Sequence, residues 1–356
     1  MIEFFSGIGG MRLGVQDAIK KHSSSSSVLF KSCHAFEISY HANEVYRYNF
    51  DQNESNSKEF TVQTKLVEQL KPKDLDGKAD LWTMSPPCQP FTSTRLAKQL
   101  DSNDKRCNGL KGIISILNNI QKKPTWILLE NVKGFIGSKM LQEWYHCLET
   151  NGYSWQEYVL CPTQLGIPNC RKRYYMICER SKRFPSEKRS LDDISLSSLS
   201  LPLSLEGKRN CIQDYIMNQE SSDTWQSVIL QDSIFEKEWV KDLGIVTPRD
   251  TITHCFTAAY ARQLHKATGS VLLMDGHDHG PTDKNSSAID RLNMQQYKNR
   301  IRRFLPCELL QLFGFPDNFK FPKKMSLEQQ YKLIGNSVNV HVVAYVVGIL
   351  LFHTDS

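Results

Sequence analysis

The chain has no pair of cysteines at CxxC spacing, and its ten cysteines form no Cys/His pattern able to hold zinc. No basic start followed by an apolar run opens the sequence. These absences argue against a disulfide-stapled secreted protein and against a metal module. They predict reduced thiols, hence a cytoplasmic or nuclear protein. No uninterrupted apolar stretch approaches the length of a bilayer; the longest candidate, residues 338–352, is interrupted by His341, Tyr345 and Gly348. No membrane partner is therefore expected. Internal repeats are lacking as well. Neither sign of charge dominates, since 44 Lys+Arg against 38 Asp+Glu leave a net +6. That excess permits a polyanionic partner without requiring one. The basic residues crowd into 171–173, 180–189 and 298–303, and any one of these runs read alone is a solvated face.

What is present suits a globular enzyme. Hydrophobic residues make up 40% and charged residues 23% of 356 positions, enough for one large domain and a smaller one. Apolar runs at 2–5, 31–37, 80–84, 126–129, 153–160 and 174–178 read as strands. The first is short, as if a residue or two of strand were missing. Helical segments alternate with the strands to about residue 180, beginning after the glycine turn at Met11. This predicts an α/β fold with a doubly wound, mostly parallel sheet. The serine run 23–27 and the polar stretch 52–57 read as loops. Composition changes at the Ser/Leu-biased stretch 190–205, a linker, and the alternation is lost as far as 295, with a flexible tract at 275–287. A helix over 306–313, a turn at 314–316 and a helix after Asn339 close the chain. The expected division is a catalytic domain at 1–190, a smaller inserted domain at 191–295 and a segment 296–356 that packs back onto the first.

Functional groups in such a sheet belong beyond the carboxyl ends of the strands. The glycines of Phe5-Ser6-Gly7-Ile8-Gly9-Gly10 allow close approach of a cofactor to the backbone and open a helix. That turn alone is a weak signal, strengthened by Glu37 at the next strand end, where a carboxylate can hold both ribose hydroxyls. Pro86-Pro87-Cys88-Gln89-Pro90-Phe91 is more specific. A buried cysteine is ordinarily a small hydrophobe, but two preceding prolines fix the backbone and present the Cys88 thiol. Glu130-Asn131-Val132 adds a carboxyl group at the following strand end, and burial there would let it hold a proton near neutrality. Arg171 and Arg173 alternate in an extended segment and should point to one side, as phosphate or carbonyl recognition demands. A thiol, a carboxylic acid and a cation form the set that activates cytosine at C5. Thiolate addition at C6 makes C5 enamine-like, the acid serves N3, and the cation steadies O2.

These blocks, with Gly335-Asn336-Ser337-Val338-Asn339-Val340, follow one another as in the cytosine-5 methyltransferase family, which the chain closely resembles over nearly its whole length. The resemblance implies an S-adenosylmethionine-dependent methyltransferase with an inserted target-recognition domain. Cys88 would be the nucleophile, Glu130 the N3 contact, and Arg171 and Arg173 would steady the base and its phosphate. Phe5, Gly7, Gly10, Glu37, Pro87, Asn336 and Ser337 would hold the cofactor, and no metal is implied. Leu129 to Phe135 and Cys255-Phe256-Thr257, with Tyr260 and Gly269-Ser270, resemble the DNA methyltransferase-2 branch. That branch acts on cytosine 38 in the anticodon loop of tRNA(Asp), so Cys255, Phe256, Thr257 and Tyr260 would face the substrate. Two departures stand out. Arg95 follows Thr92 by three positions where the branch places an arginine directly after the threonine. The acidic residue many DNA enzymes carry after the second helix is absent, with Thr64 nearby. The expected partner is tRNA(Asp), with DNA as the alternative, and the expected state is a monomer. The rivals are a DNA cytosine-5 methyltransferase and a catalytically idle nucleic-acid-binding protein of the same fold. A dinucleotide oxidoreductase ranks last, because Pro-Pro-Cys-Gln has no part in hydride transfer.

Overall fold

A computed structural model describes residues 1–23, 27–51, 60–91, 101–180, 211–217, 225–274 and 289–352. Most of the serine run, the polar stretch 52–57, Thr92 to Arg95, the linker 190–205, the tract 275–287 and most of the basic run 180–189 lie outside the described residues. The chain divides into two compact units. The first comprises Met1–Leu160, Lys172–Pro202 and Val340–Ser356; the second comprises Cys161–Arg171 and Leu203–Asn339. The boundaries expected at 190 and 296 are thereby corrected. Residues 161–171 join the second unit, and only the chain from Val340 onward returns to the first.

The first unit is built on seven strands: β1 (Ile2–Phe4), β2 (Cys33–Glu37), β3 (Phe60–Thr64), β4 (Leu81–Met84), β5 (Trp126–Val132), β6 (Ser154–Leu160) and β7 (Arg173–Glu179). Their order is β3-β2-β1-β4-β5-β7-β6. The pairs from β3 to β5 are parallel, while β7 runs antiparallel to both β5 and β6. Every residue of β1 and β4 is buried, as strands covered on both faces must be, and this is why they read as unbroken apolar runs. The helices in sequence order are α1 (Gly10–Lys21), α2 (Tyr40–Phe50), the single turn α3 (Pro72–Leu75), α4 (Asn108–Asn119) and α5 (Lys139–Thr150). Chain order reverses between β1 and β4. From β1 the chain moves outward to β2 and β3, then returns to the other side of β1. A crevice opens at such a switch point, and the turn after β1 and the loop after β4 border it.

The second unit has a small sheet of β8 (Ile245–Val246), β9 (Val271–Leu273) and β10 (Ile301–Arg302), with β8–β9 parallel and β9–β10 antiparallel. Leu230, Phe235, Val240, Ile245, Val271 and Ile301 are buried in its core. Helices α6 (Pro306–Leu312) and α7 (Leu327–Gly335) complete it, and α8 (Val340–Phe352) belongs to the first unit, packed on α1. By length and composition alone the segment Leu327–Phe352, which holds α7 and α8, would be apolar enough to cross a membrane. Its most apolar window is 89% buried within the chain, however, as in the core helix of a globular protein.

Candidate active site

The turn after β1 is held by an acidic residue of the neighbouring strand. Glu37 Oε2 accepts the Gly7 N–H at 2.9 Å and Oε1 accepts the Ser39 N–H at 2.7 Å. Phe5 takes a left-handed conformation, φ 55°, and Gly7 and Gly9 follow at φ 53° and 91°, so the chain reverses sharply before α1. Below this turn lies a buried polar cluster that strand periodicity did not signal. Glu3, fully buried in β1, accepts the Arg12 backbone N–H at 3.2 Å and the Tyr46 hydroxyl at 3.0 Å. The Arg12 guanidinium stacks over the Phe50 ring, 4.2 Å from its centroid. Burial pushes the Glu3 carboxyl up to about 7 and the Cys33 thiol up to about 12.

A cavity beside the turn is lined by three residues expected there, Phe5, Glu37 and Pro87, and also by Ile38, Val67 and Arg106, which the sequence reading missed. Gly7 and Gly10 shape the turn and do not line the cavity. Apolar walls from Phe5, Phe36 and Ile38 with the Glu37 carboxylate at one edge suit an adenosine: a flat apolar base and two vicinal hydroxyls. Each Glu37 oxygen spends one lone pair on a backbone N–H and keeps another for a hydroxyl. The donor set thus fits S-adenosylmethionine.

Next to it, the loop after β4 is pinned at several points. The Asn131 amide donates to Pro86 O at 3.3 Å, and Phe91 N–H donates to Cys88 O at 3.0 Å, closing one turn around the half-buried Cys88. The Phe91 ring packs edge-on against Phe135, with centroids 4.8 Å apart. A Cβ on Gly134 would lie 2.0 Å from Phe91 O, so this turn admits only glycine without moving the loop. Met84 at the end of β4 pairs with Leu129, which places Glu130 one residue further along the adjacent strand. The Ser85 hydroxyl donates to Glu130 Oε2 at 2.5 Å, a contact unforeseen from the sequence. Because β7 is antiparallel, its start lies at the same sheet edge, and Arg173, opposite Val132, brings Nε to 3.5 Å from Glu130 Oε1. The ends of three adjacent strands thus carry Cys88, Glu130 and Arg173.

Arg171 belongs to the second unit. Its guanidinium is buried in the second unit, where Nη1 donates to Phe256 O at 2.9 Å and Nη2 to Gly335 O at 3.1 Å and Ser337 O at 2.6 Å. The expectation that it shares a side with Arg173 is corrected. Strand β7 begins only at Arg173, so the alternation of a strand does not extend back to Arg171. Phe256 and Tyr260, expected to face substrate, are buried packing residues. The Phe256 ring meets Tyr260 and Phe304 edge-on. The Tyr260 hydroxyl donates to Ser270 O and accepts the Phe304 N–H. Cys255 and Thr257 between them remain half-buried. Asn336 caps the end of α7, and Ser337 contributes its carbonyl to Arg171. Among the described residues no group of His, Cys, Asp and Glu is arranged to hold a metal ion.

Known proteins resemble this chain in sequence and fold. The C-5 cytosine-specific DNA methylase family matches residues 1–350. A Schizosaccharomyces pombe tRNA (cytosine(38)-C(5))-methyltransferase is 33% identical over 99% of this chain and 96% of its own. A Dictyostelium discoideum DNA (cytosine-5)-methyltransferase is 32% identical over 99% and 94%. The crystal structure of S. pombe Dnmt2 methyltransferase superposes with a TM-score of 0.74 at 29% identity, covering 98% of this chain and 97% of that one. The chain therefore belongs to the C-5 cytosine-specific DNA methylase family, as an S-adenosylmethionine-dependent cytosine-5 methyltransferase.

Proposed function

We propose that this enzyme methylates C5 of cytosine 38 in the anticodon loop of tRNA(Asp) through a covalent adduct between Cys88 and C6. The observation that supports the chemistry is the Glu130–Arg173 contact at the ends of β5 and β7, beside β4, whose following loop carries Cys88. The Cys88 thiolate adds to C6, and Glu130, oriented by Ser85, gives a proton to N3 so that the negative charge of addition is neutralised there. Arg173, held at the far oxygen of the same carboxyl group, reaches for O2 of the base. S-adenosylmethionine supplies the electrophilic methyl group that C5 then takes. Loss of the C5 proton to a base and departure of the Cys88 sulfur from C6 restore the aromatic ring and the free thiolate. Glu130 recovers its proton from N3.

The choice of RNA rests on the relatives' activity and on the cost of exposing the base. A cytosine in a loop is already partly unstacked, so extruding it costs less than flipping one from a duplex. The same machinery would serve a cytosine in DNA, as the name of the Dictyostelium relative describes. The deciding experiment offers labelled S-adenosylmethionine with matched pools of total tRNA and genomic duplex DNA, with Cys88→Ala alongside. Label that enters tRNA at one anticodon-loop cytosine and disappears in the variant supports the proposal. Label in DNA alone would keep the chemistry and overturn the substrate. Label in neither would leave a nucleic-acid binder without catalysis.

A further inference from the structure

Several arginines of the basic runs at 171–173 and 298–303 are engaged inside the protein. Arg171 binds carbonyls and Arg173 faces Glu130. Arg302 is 1% exposed in a bidentate pair with Glu308, which is fully buried. Arg303 donates to Ala261 O. A different set of cations is assembled on the surface of the second unit, from segments far apart in sequence, around Leu243 and Gly244. A Cβ placed on Gly244 would lie 2.4 Å from His254 Cδ2 and 3.3 Å from Lys266 Cβ, so both side chains cross the bare glycine backbone. Arg291 Nη1 donates to Leu243 O at 2.9 Å and to Lys241 O, which fastens its guanidinium to the same two-residue stretch. His265 accepts the Ala267 N–H on Nδ1 at 3.0 Å. All four side chains are exposed.

Among the described residues none of the four is in an ion pair. The charges that act on His254 come from Lys266, Arg291 and His265, each opposing its protonation. Lys266 and Arg291 are cations placed beside His254, with no carboxylate in an ion pair to them among the described residues, and an anion would relieve their mutual repulsion. The donors are a guanidinium, an ammonium and two imidazoles, which match phosphate oxygens. Their place is informative: His254 immediately precedes Cys255, and its N–H is bound by the Ser270 hydroxyl on the strand entry that also receives the Tyr260 hydroxyl.

We propose that His254, His265, Lys266 and Arg291 form a phosphate-binding patch that grips the RNA backbone beside the target-recognition segment. This rests on the reading of RNA as substrate and adds where the RNA is held. The three sequence-contiguous basic runs are not required for it. Arg291 fastens two carbonyls of its own unit, so its removal risks the local fold, and the exposed Lys266 is the cleaner probe.

The test is the equilibrium binding of tRNA to full-length protein, without cofactor, at a series of salt concentrations. Lys266→Glu should weaken binding by about three- to tenfold and reduce the slope of log K against log salt by about one, the mark of one lost phosphate contact. Lys266→Gln with His254→Gln should give a comparable loss, and thermal melts of each variant establish that it is folded. Unchanged affinity and unchanged slope in both folded variants would overturn the patch. Binding and methylation fail separately here. If wild type transfers no methyl group to tRNA while Lys266→Glu still loosens it, the functional reading falls and the patch stands. If methylation proceeds and the variants bind like wild type, the patch falls and the function stands.

Discussion

The two units treat their motif residues in opposite ways. In the first, the side chains that stand out in the sequence end strands, and the sheet presents them: Cys88, Glu130 and Arg173 arrive at one edge because β4, β5 and β7 deliver them there. In the second, the Cys255-Phe256-Thr257 segment and Tyr260 sit among 3-10 turns and two- or three-residue strands, and the aromatic members are 1% and 2% exposed. A unit with so little regular structure has to make its core from the very residues that mark it. A motif on a sheet edge therefore points to chemistry, while a motif in an irregular unit points first to packing.

The largest test of this contrast lies in the first unit. Glu130→Gln keeps the shape of the side chain and its contact with Ser85 but removes the acid, so kcat should fall by about 10²–10⁴-fold with the thermal midpoint nearly unchanged. A comparable loss of folding stability would place Glu130 with the packing residues and break the comparison. In the second unit the effect should be reversed. Phe256→Ala should lower stability by about 3–5 kcal/mol in denaturant titration, with activity lost only in proportion to the unfolded fraction. A folded Phe256→Ala protein with a specific failure to bind RNA would restore it to the substrate.

A third, smaller effect asks whether buried charge beneath the catalytic edge matters to stability. The Glu3 carboxyl is raised from its ordinary 4.5 to about 7 in the folded protein, chiefly by burial, so the native state binds the extra proton between these values. Stability should accordingly fall as pH rises from about 4.5 to about 7, by up to a few kcal/mol, and level off above that range. Glu3→Gln should flatten this part of the profile; an unaltered profile would show that Glu3 ionises normally. The smallest effect is expected from Tyr260→Phe, which leaves Ser270 O and Phe304 N–H without their hydroxyl partner and should destabilise the fold by about 1–3 kcal/mol.

Legibility followed the same division. The strands β4 and β5 could be read because burial on both faces writes apolar runs, and Cys88 and Glu130 were located just beyond those runs, as Glu37 was at the end of β2. Strand β3 escaped notice because it is the sheet's first strand and its sequence, Phe-Thr-Val-Gln-Thr, alternates with polar residues in a polar neighbourhood. Glu3 and Arg12 were invisible because periodicity reports which face is buried and not which polar group is buried with it. Arg171 was misplaced by extending a strand's alternation two residues beyond where β7 starts. The patch around Gly244 left little local trace, since 254, the pair 265–266 and 291 come together only in space.

One feature of the catalytic edge bears on the order in which the protein loosens. Phe5 holds a left-handed backbone that disfavours a side chain by about 1–2 kcal/mol, and its ring is wedged so tightly against Gly109 that a Cβ there would lie 2.7 Å away. The turn is thus a spring compressed between β1 and α4, restrained by the two backbone N–H groups on Glu37. Its amides should exchange with solvent sooner than those of β4 in the empty enzyme, and cofactor occupying the cavity should act as a latch that slows them. The turn that receives the ligand should therefore be firmer with cofactor bound than without it.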